Sequence, residues 1–376
     1  MTVLDFIGQQ RREFRFGPRF QALAGLSGEG LVYAVEQGFP YLPSGCAIEL
    51  DRVAARVVID NVRQAVRGRQ DRFIQELREF GDISLELFLA RTGRGLDSLY
   101  VGSAPGWQRL RRDAGFDVPV PGPQEEVLTR AIGRMLHVAD PERVEVYRRW
   151  LAKTKPPVVD NLNERHQRLL TMLHFDLWGR SPEAGPLQAS IARLWTHDGV
   201  RQELAEVLRL GLDQTHVRVV EEVGPAPLAV HGRYTGEEVL ASLGVSRAEA
   251  PQMRREGVRQ VAAAKADVFF VTLRKSEARF SPTTMYRDYA LSPRQLHWES
   301  QSTTSVESPT ARRYIEHRRN DWRILIFARE SADTRAFVYL GPADYLRHAG
   351  DRPVSFVWEL VHAMPPDFFL DARAAS

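Results

Sequence analysis

The side chains best suited to chemistry in this chain concentrate between residues 286 and 304, among them rings, hydroxyls, the Gln301 amide and the Asp288 carboxylate. Tyr286, Tyr289 and Trp298 can stack on a flat π-face, with Phe280 and Tyr314 behind them. Stacking of that kind is worth roughly 1–3 kcal/mol per nucleobase. Asp288, between two tyrosines, can accept from an exocyclic amine such as that of cytosine. Ser300, Gln301 and Thr303, with Ser302 and Thr304 beside them, can serve the remaining edge or a phosphate. Lys275, Arg279, Arg287, Arg312 and Arg313 add positive charge for phosphate oxygens, which would make affinity fall steeply with salt. Each residue also has a structural reading: rings fill cores, Asp in a turn caps its own backbone, and charges are solvated. The run contains no nucleophile set, acid–base pair or metal cluster. It suits a reader of a flat polar ligand better than a catalyst.

Elements on both sides must position this run. Residues 268–271 (Val-Phe-Phe-Val) form an apolar strand just ahead of it. Further strands are expected at 258–261, 268–273, 324–328, 336–340 and 354–360. Many short strands separated by turn residues indicate a compact, curved β-domain with few helices. The sequence around Thr235 and Gly236 reads as the capped start of a short helix. Gly224-Pro225-Ala226-Pro227 marks a linker, so the β-rich domain is set at 228–376.

Ahead of the linker, residues 51–225 are helical in pattern. Val53, Val57, Val58, Val62 and Val66 recur at three- and four-residue steps, as do Phe73, Leu77, Phe80, Leu87 and Phe88. Leu194, Leu204, Val207, Leu208 and Leu210 continue the pattern. Asp82-Ile83-Ser84 looks like a helix start, and breaks fall at 93–95, 119–123 and 156–157. Trp107, Leu110 and Phe116 offer bulk for a small helical core. Residues 1–8 read as a buried strand closed by a glycine turn.

The chain has 376 residues, 43% hydrophobic and 26% charged, with net charge +3. That is ordinary globular composition, enough for two or three cores. Four lysines against a large excess of arginine are compatible with phosphate and guanine-edge contacts, although a GC-rich genome explains the bias better, so charge alone does not establish DNA binding. The single Cys46 excludes an internal disulfide and a multi-cysteine zinc site. No apolar run is long enough to span a bilayer and no signal-peptide pattern opens the chain, so the expectation is a cytoplasmic protein without a membrane partner.

Two sets of segments carry a resemblance. VFFVTLRKS, FSPTTMYRDYALS, LHWESQSTTS, SPTARRYIEH and YLGPADY resemble the uncharacterised domain at the C-terminus of many bacterial helicase-like proteins. TVLDFIG and GFPYLPSGCAIELDRVA are similar to the region just after the last helicase motif of those proteins. Some members resemble modification-dependent restriction enzymes, whose last domain is related to the methylated-base readers called SRA domains. The resemblance implies an α+β chain in three parts: residues 1–50 as a remnant of the second RecA-like motor domain and its linker, 51–225 as a helical coupler, and 228–376 as an SRA/PUA-like barrel. It further implies a DNA-binding specificity module of a restriction or phage-defence system. Its partners would be double-stranded DNA, methylated or not, and a helicase–nuclease part in cis or trans. The alternative is a protein-interaction module that docks a separate ATPase or nuclease.

The chain also departs from such proteins. It has no G-x-x-x-x-G-K-[ST] loop, so ATP and Mg²⁺ belong to a motor lying ahead of this sequence, and no cofactor is expected here. On this reading the chain is a truncated product or a fragment without catalysis of its own. Residues 57–60 superficially match a Walker B strand but continue the helical valine stripe. Asp267 and Lys275 faintly resemble a restriction-enzyme core, yet Leu273 stands where its second acid belongs. His297 is expected to be hydrogen-bonded within the fold. His166, His174, His197 and His216 lie at scattered helical positions and form no metal motif.

Overall fold

The computed structural model describes Arg56 and Glu249 singly and residues 71–102, 104–179, 185–213, 226–246, 257–274 and 288–373. The expectations for residues 1–50, the valine stripe and Walker-like run, the linker up to residue 225, Lys275, Arg279, Phe280, Tyr286, Arg287 and His216 lie outside these residues. The chain divides into two compact units, 1–119 and 120–376.

In the first unit a helical run at 71–80 is followed by α1 (Leu85–Thr92), α2 (Asp97–Tyr100) and α3 (Trp107–Ala114). Ser84 caps α1 by accepting from Leu87 N, and Gly93 closes it at φ +65°, the left-handed geometry that favours glycine. The core is aromatic: the Phe88 ring lies 6.2 Å from Phe73 and 5.2 Å from Trp107. Leu110 is buried as expected, whereas Phe116 is half-buried.

The second unit begins with helices α4 (Glu125–Arg134), α5 (Pro141–Leu151), α6 (Glu164–Trp178), α7 (Leu187–Leu194) and α8 (Asp198–Asp213). Asp140 and Asn163 cap α5 and α6, with Pro141 in the first turn of α5, where its missing N–H costs nothing. Leu194, Leu204, Val207, Leu208 and Leu210 are all buried. After the short strand β1 (Arg233–Tyr234), Thr235 and Glu238 form a reciprocal capping box opening α9 (Gly236–Ser242). Every residue of α9 is buried, and the helix packs on α6.

The rest is one sheet: β2 (Val258–Val261), β3 (Ala266–Arg274), β4 (Tyr289–Ser292), β5 (Gln295–Glu299), β6 (Arg323–Ser331), β7 (Phe337–Ala349) and β8 (Ser355–Leu360). These strands take the order β2-β3-β6-β7-β8-β5-β4, with β1 also paired to β7. Helices α10 (Pro309–Ile315) and α11 (Pro366–Arg373) bring Ala311, Tyr314, Phe368 and Ala372 into its core. The expected strands are present, but the expected barrel is not. The path ends at β2 on one side and β4 on the other, so the sheet stays open. The β3–β6 pair is parallel and the others are antiparallel. A parallel strand is buried on both faces, which is why the middle of β3, Val268 to Val271, reads as an apolar run.

Strand β7 is the longest at 13 residues. Its first half pairs with β6 and its second half with β8. The β6 register shifts between Ile326 and Phe327, opposite Gly341 and Tyr339, so Leu340 is the extra residue of a bulge. Gly341 has φ +97°, and a Cβ there would lie 3.3 Å from His362 Cδ2 and 3.5 Å from Val230 Cγ2. The bulge therefore needs glycine.

Candidate functional site

Of the residues singled out by sequence, Tyr289 and Trp298 lie on strands, Arg312 and Arg313 lie on α10, and Asp288, Ser300, Gln301 and Thr303 lie in the connecting segments. Tyr289 opens β4 and faces His297 of β5 across the hairpin, their rings stacked at 4.5 Å. Both are half-buried. Trp298 alternates with His297 and points the other way. It is 8% exposed and belongs to the sheet core. Its ring lies 4.7 Å from Phe269, 6.1 Å from Tyr314 and 5.9 Å from Phe356. The expectation of Trp298 as a ring free to stack on a flat ligand is corrected: strand alternation turns it inward beside Leu296.

Asp288 is buried, and its Oδ1 accepts from Glu299 N at 3.1 Å. The carboxylate thus braces the β4–β5 hairpin. Ser300 is buried too; its Oγ accepts from Val354 N at 2.9 Å and donates to Gln301 O. Gln301 and Thr303 are exposed. Arg312 is exposed and paired with Glu307, which lifts its guanidinium above its ordinary range. Arg313 donates in a fork to Asp267, at 2.7 and 3.0 Å. Burial disfavours the Arg313 charge, but the Asp267 carboxylate outweighs this and holds it above the usual value.

That acid leads to a second place in the domain. Asp267 Oδ2 also accepts from Trp322 Nε1 at 2.8 Å, which fixes the indole. Trp322 forms one wall of a cavity of about 210 Å³, with His317, Arg318, Asp321, Arg323 and Asp344 around it and Ile324, Pro342 and Ala343 completing the lining. The Gly341 bulge directly precedes this last pair. Asp344 accepts from Arg318 Nε at 2.6 Å, and this bond holds its carboxyl below the usual carboxylate range. Arg318 is 71% exposed and stands above its ordinary value through the same contact. His317 Nε2 accepts from Tyr345 N at 3.0 Å, so its Nδ1 donates to Trp322 O, also at 3.0 Å. The cavity therefore combines a fixed ring, two carboxylates and two guanidinium side chains. Both carboxylates already face a cation, Asp344 through Arg318 and Asp321 through Lys265 at 2.9 Å. Sequence reasoning passed over Trp322 because its Asp267 partner is 55 residues away.

A third cluster is buried where α9 meets the helices. Arg143 is 0% exposed and donates to Asp140, to Glu238 and, at 2.6 Å, to Arg233 O. Its guanidinium also lies 4.3 Å from the Tyr234 ring centroid. Burial opposes its charge, but Asp140 and Glu238 outweigh burial and hold it well above the usual value. Glu238 Oε2 also accepts from Thr235 N at 2.5 Å and lies 2.8 Å from His137 Nε2. Burial raises the Glu238 carboxyl, yet His137 and Arg143 together bring it well below the carboxylate range. Asp176 behaves in the opposite way: burial first, then the Glu238 charge, push it well above. Neither Asp176 oxygen receives a hydrogen bond.

Residues 228–371 match the family described as a domain of unknown function (DUF3427). The match takes in α9, the whole sheet and the cavity, while the Arg143 and His137 side of the buried cluster lies ahead of it. No curated protein matches the chain. Among the described residues no helix is long and apolar enough to cross a membrane.

Proposed function

We propose that the chain is the DNA-binding specificity module of a helicase-type restriction or defence system. In this reading it has no catalysis of its own and works with a helicase–nuclease part in cis or trans. It recognises a modified base, methylated cytosine in the simplest case, by taking the extruded base into the cavity beside Trp322. The observation that carries this reading is the cavity itself: a pinned indole, carboxylates at Asp321 and Asp344, and flanking Arg318 and Arg323. An extruded base needs a stacking surface and polar groups along its edge. A carboxylate accepts from the cytosine amine, and exposed arginines take the flanking phosphates. Tyr289 and Arg312, with Gln301 and Thr303 exposed nearby in sequence, are assigned to the surrounding strand contacts. The resemblance of the C-terminal segments to helicase-associated domains supports the same assignment.

Fluorescence anisotropy with plain, methylated and hydroxymethylated duplexes tests it on the full chain. Binding is expected to weaken as salt rises and to favour one modified duplex. Arg318→Ala, at an exposed position, should weaken binding to all duplexes, whereas Trp322→Phe should reduce the preference among them. Equal weak binding to the three duplexes removes the modified-base reading.

A second reading has its own observation. Helix α9 is completely enclosed and its Glu238 is tied to Arg143 and His137. Such an element suits a coupler that transmits force from a motor. Failure to bind any duplex, together with stoichiometric association with a separately supplied helicase–nuclease, would favour it.

A further inference from the structure

Three side chains from separate parts of the second unit converge on one buried point. His137 follows α4, Asp176 lies in the last turn of α6, and Glu238 lies in the first turn of α9. Each offers one nitrogen or oxygen, and these atoms all lie within 4.8 Å of one another. Asp176 and Glu238 are 0% exposed, and the His137 side chain is 10% exposed. Imidazole nitrogen and carboxylate oxygen are donors that borderline divalent ions accept.

Two details add to proximity. His137 Nδ1 lies 2.8 Å from Arg134 O, which orients the ring with Nε2 toward the acids. Metal-ligating histidines are held in this way by a backbone carbonyl. Asp176 is a fully buried carboxyl whose two oxygens receive no hydrogen bond. Asp140, Asp176 and Glu238 bring three carboxylates, against which Arg143 sets one guanidinium, bonded to Asp140 and Glu238. Arg134 and Arg335 also act on Asp176, so the cluster gathers acids and guanidinium groups together, and buried charges persist only when compensated.

We propose that His137 Nε2, Asp176 and Glu238 Oε2 bind one divalent transition ion, zinc by the character of the donors. The ion sits where His137 and Glu238 now meet at 2.8 Å. Metal–donor lengths of about 2.0–2.2 Å require these two atoms to part slightly and Asp176 to close in. Arg143 retains Glu238 Oε1. The second Asp176 oxygen or a water completes a four-coordinate shell. The site is structural: it joins the ends of two helices ahead of the family match to a helix inside it. This inference does not depend on the DNA reading, and its test uses no DNA.

The test takes the full chain, stripped with a chelator and desalted, and titrates it with zinc by calorimetry and with cobalt(II) by visible absorption. Expected are one ion per chain, a cobalt d–d spectrum and a rise in Tm on zinc addition. His137→Ala and Asp176→Asn should each weaken zinc binding about tenfold or more and abolish the Tm rise. Asp176→Asn preserves shape and cannot ionise, so its metal-free fold provides the control against misfolding. Absence of zinc binding by the unaltered chain, or an affinity in both variants equal to that of the unaltered chain, overturns the proposal.

Discussion

Asp267 in β3 and Asp176 in α6 are both completely buried, yet their surroundings differ. Asp267 receives a guanidinium fork from Arg313 and the indole N–H of Trp322. Asp176 receives no hydrogen bond at either oxygen. A carboxylate stripped of water needs donors or a cation, since the charge otherwise costs several kcal/mol. Where donors surround the acid, it serves to position what it holds; Asp267 sets the indole wall of the cavity. Where they are absent, the acid must keep a proton or receive an ion. Burial alone does not distinguish the two cases, but a census of donors does.

Substitutions can break or sharpen this contrast. The largest effect is expected for Arg143→Met, which leaves Glu238 and Asp140 buried without their guanidinium. A loss of about 3–5 kcal/mol in urea unfolding is expected, and a loss below about 1 kcal/mol would mean that the network is not what holds α9. Arg313→Met should cost about 3 kcal/mol, because Asp267 keeps only its indole donor. Trp322→Phe retains the ring but loses that donor, so about 1.5–3 kcal/mol should be lost. Asp176→Asn in metal-free protein should have the opposite sign, with stability unchanged or higher by up to about 1 kcal/mol; a loss comparable to that of Arg313→Met would erase the contrast. The smallest effect belongs to Glu76 in the first unit, a partly exposed acid bonded to Arg94 and Arg72. Its carboxyl is lowered chiefly by the Arg94 hydrogen bond. A lowered carboxyl stabilises the fold above the unfolded value of about 4.3, and that contribution fades as pH falls below it. The urea midpoint of the unaltered chain should therefore drop more steeply below about pH 4.5 than that of Glu76→Gln.

Much of the fold was legible because its signals are local. Ser84 and Thr235 announce α1 and α9 within a few residues, and the strand run 268–273 lies within β3. The openness of the sheet was not legible, since it depends on which strands end the pairing order. The aromatic run misled for a related reason. Gln295-Leu296-His297-Trp298-Glu299 alternates, and two-residue periodicity places Trp298 with Leu296 in the core. Reading ring content without that period set Trp298 among surface side chains. The buried cluster was illegible for another reason: Arg143 and His137 stand 95 and 101 residues from Glu238. The Thr235–Glu238 capping box was readable as a local signal, but nothing local shows that its glutamate also holds a distant arginine.

Helix α9 has no face of its own toward solvent, although the family match begins only eight residues ahead of it, at Leu228. A protein trimmed to that boundary would carry Glu238 away from Arg143 and His137 and uncover the apolar side that rests on α6. The family match is therefore smaller than the compact unit, 120–376, that encloses α9, and a piece meant to stand alone should start ahead of α4.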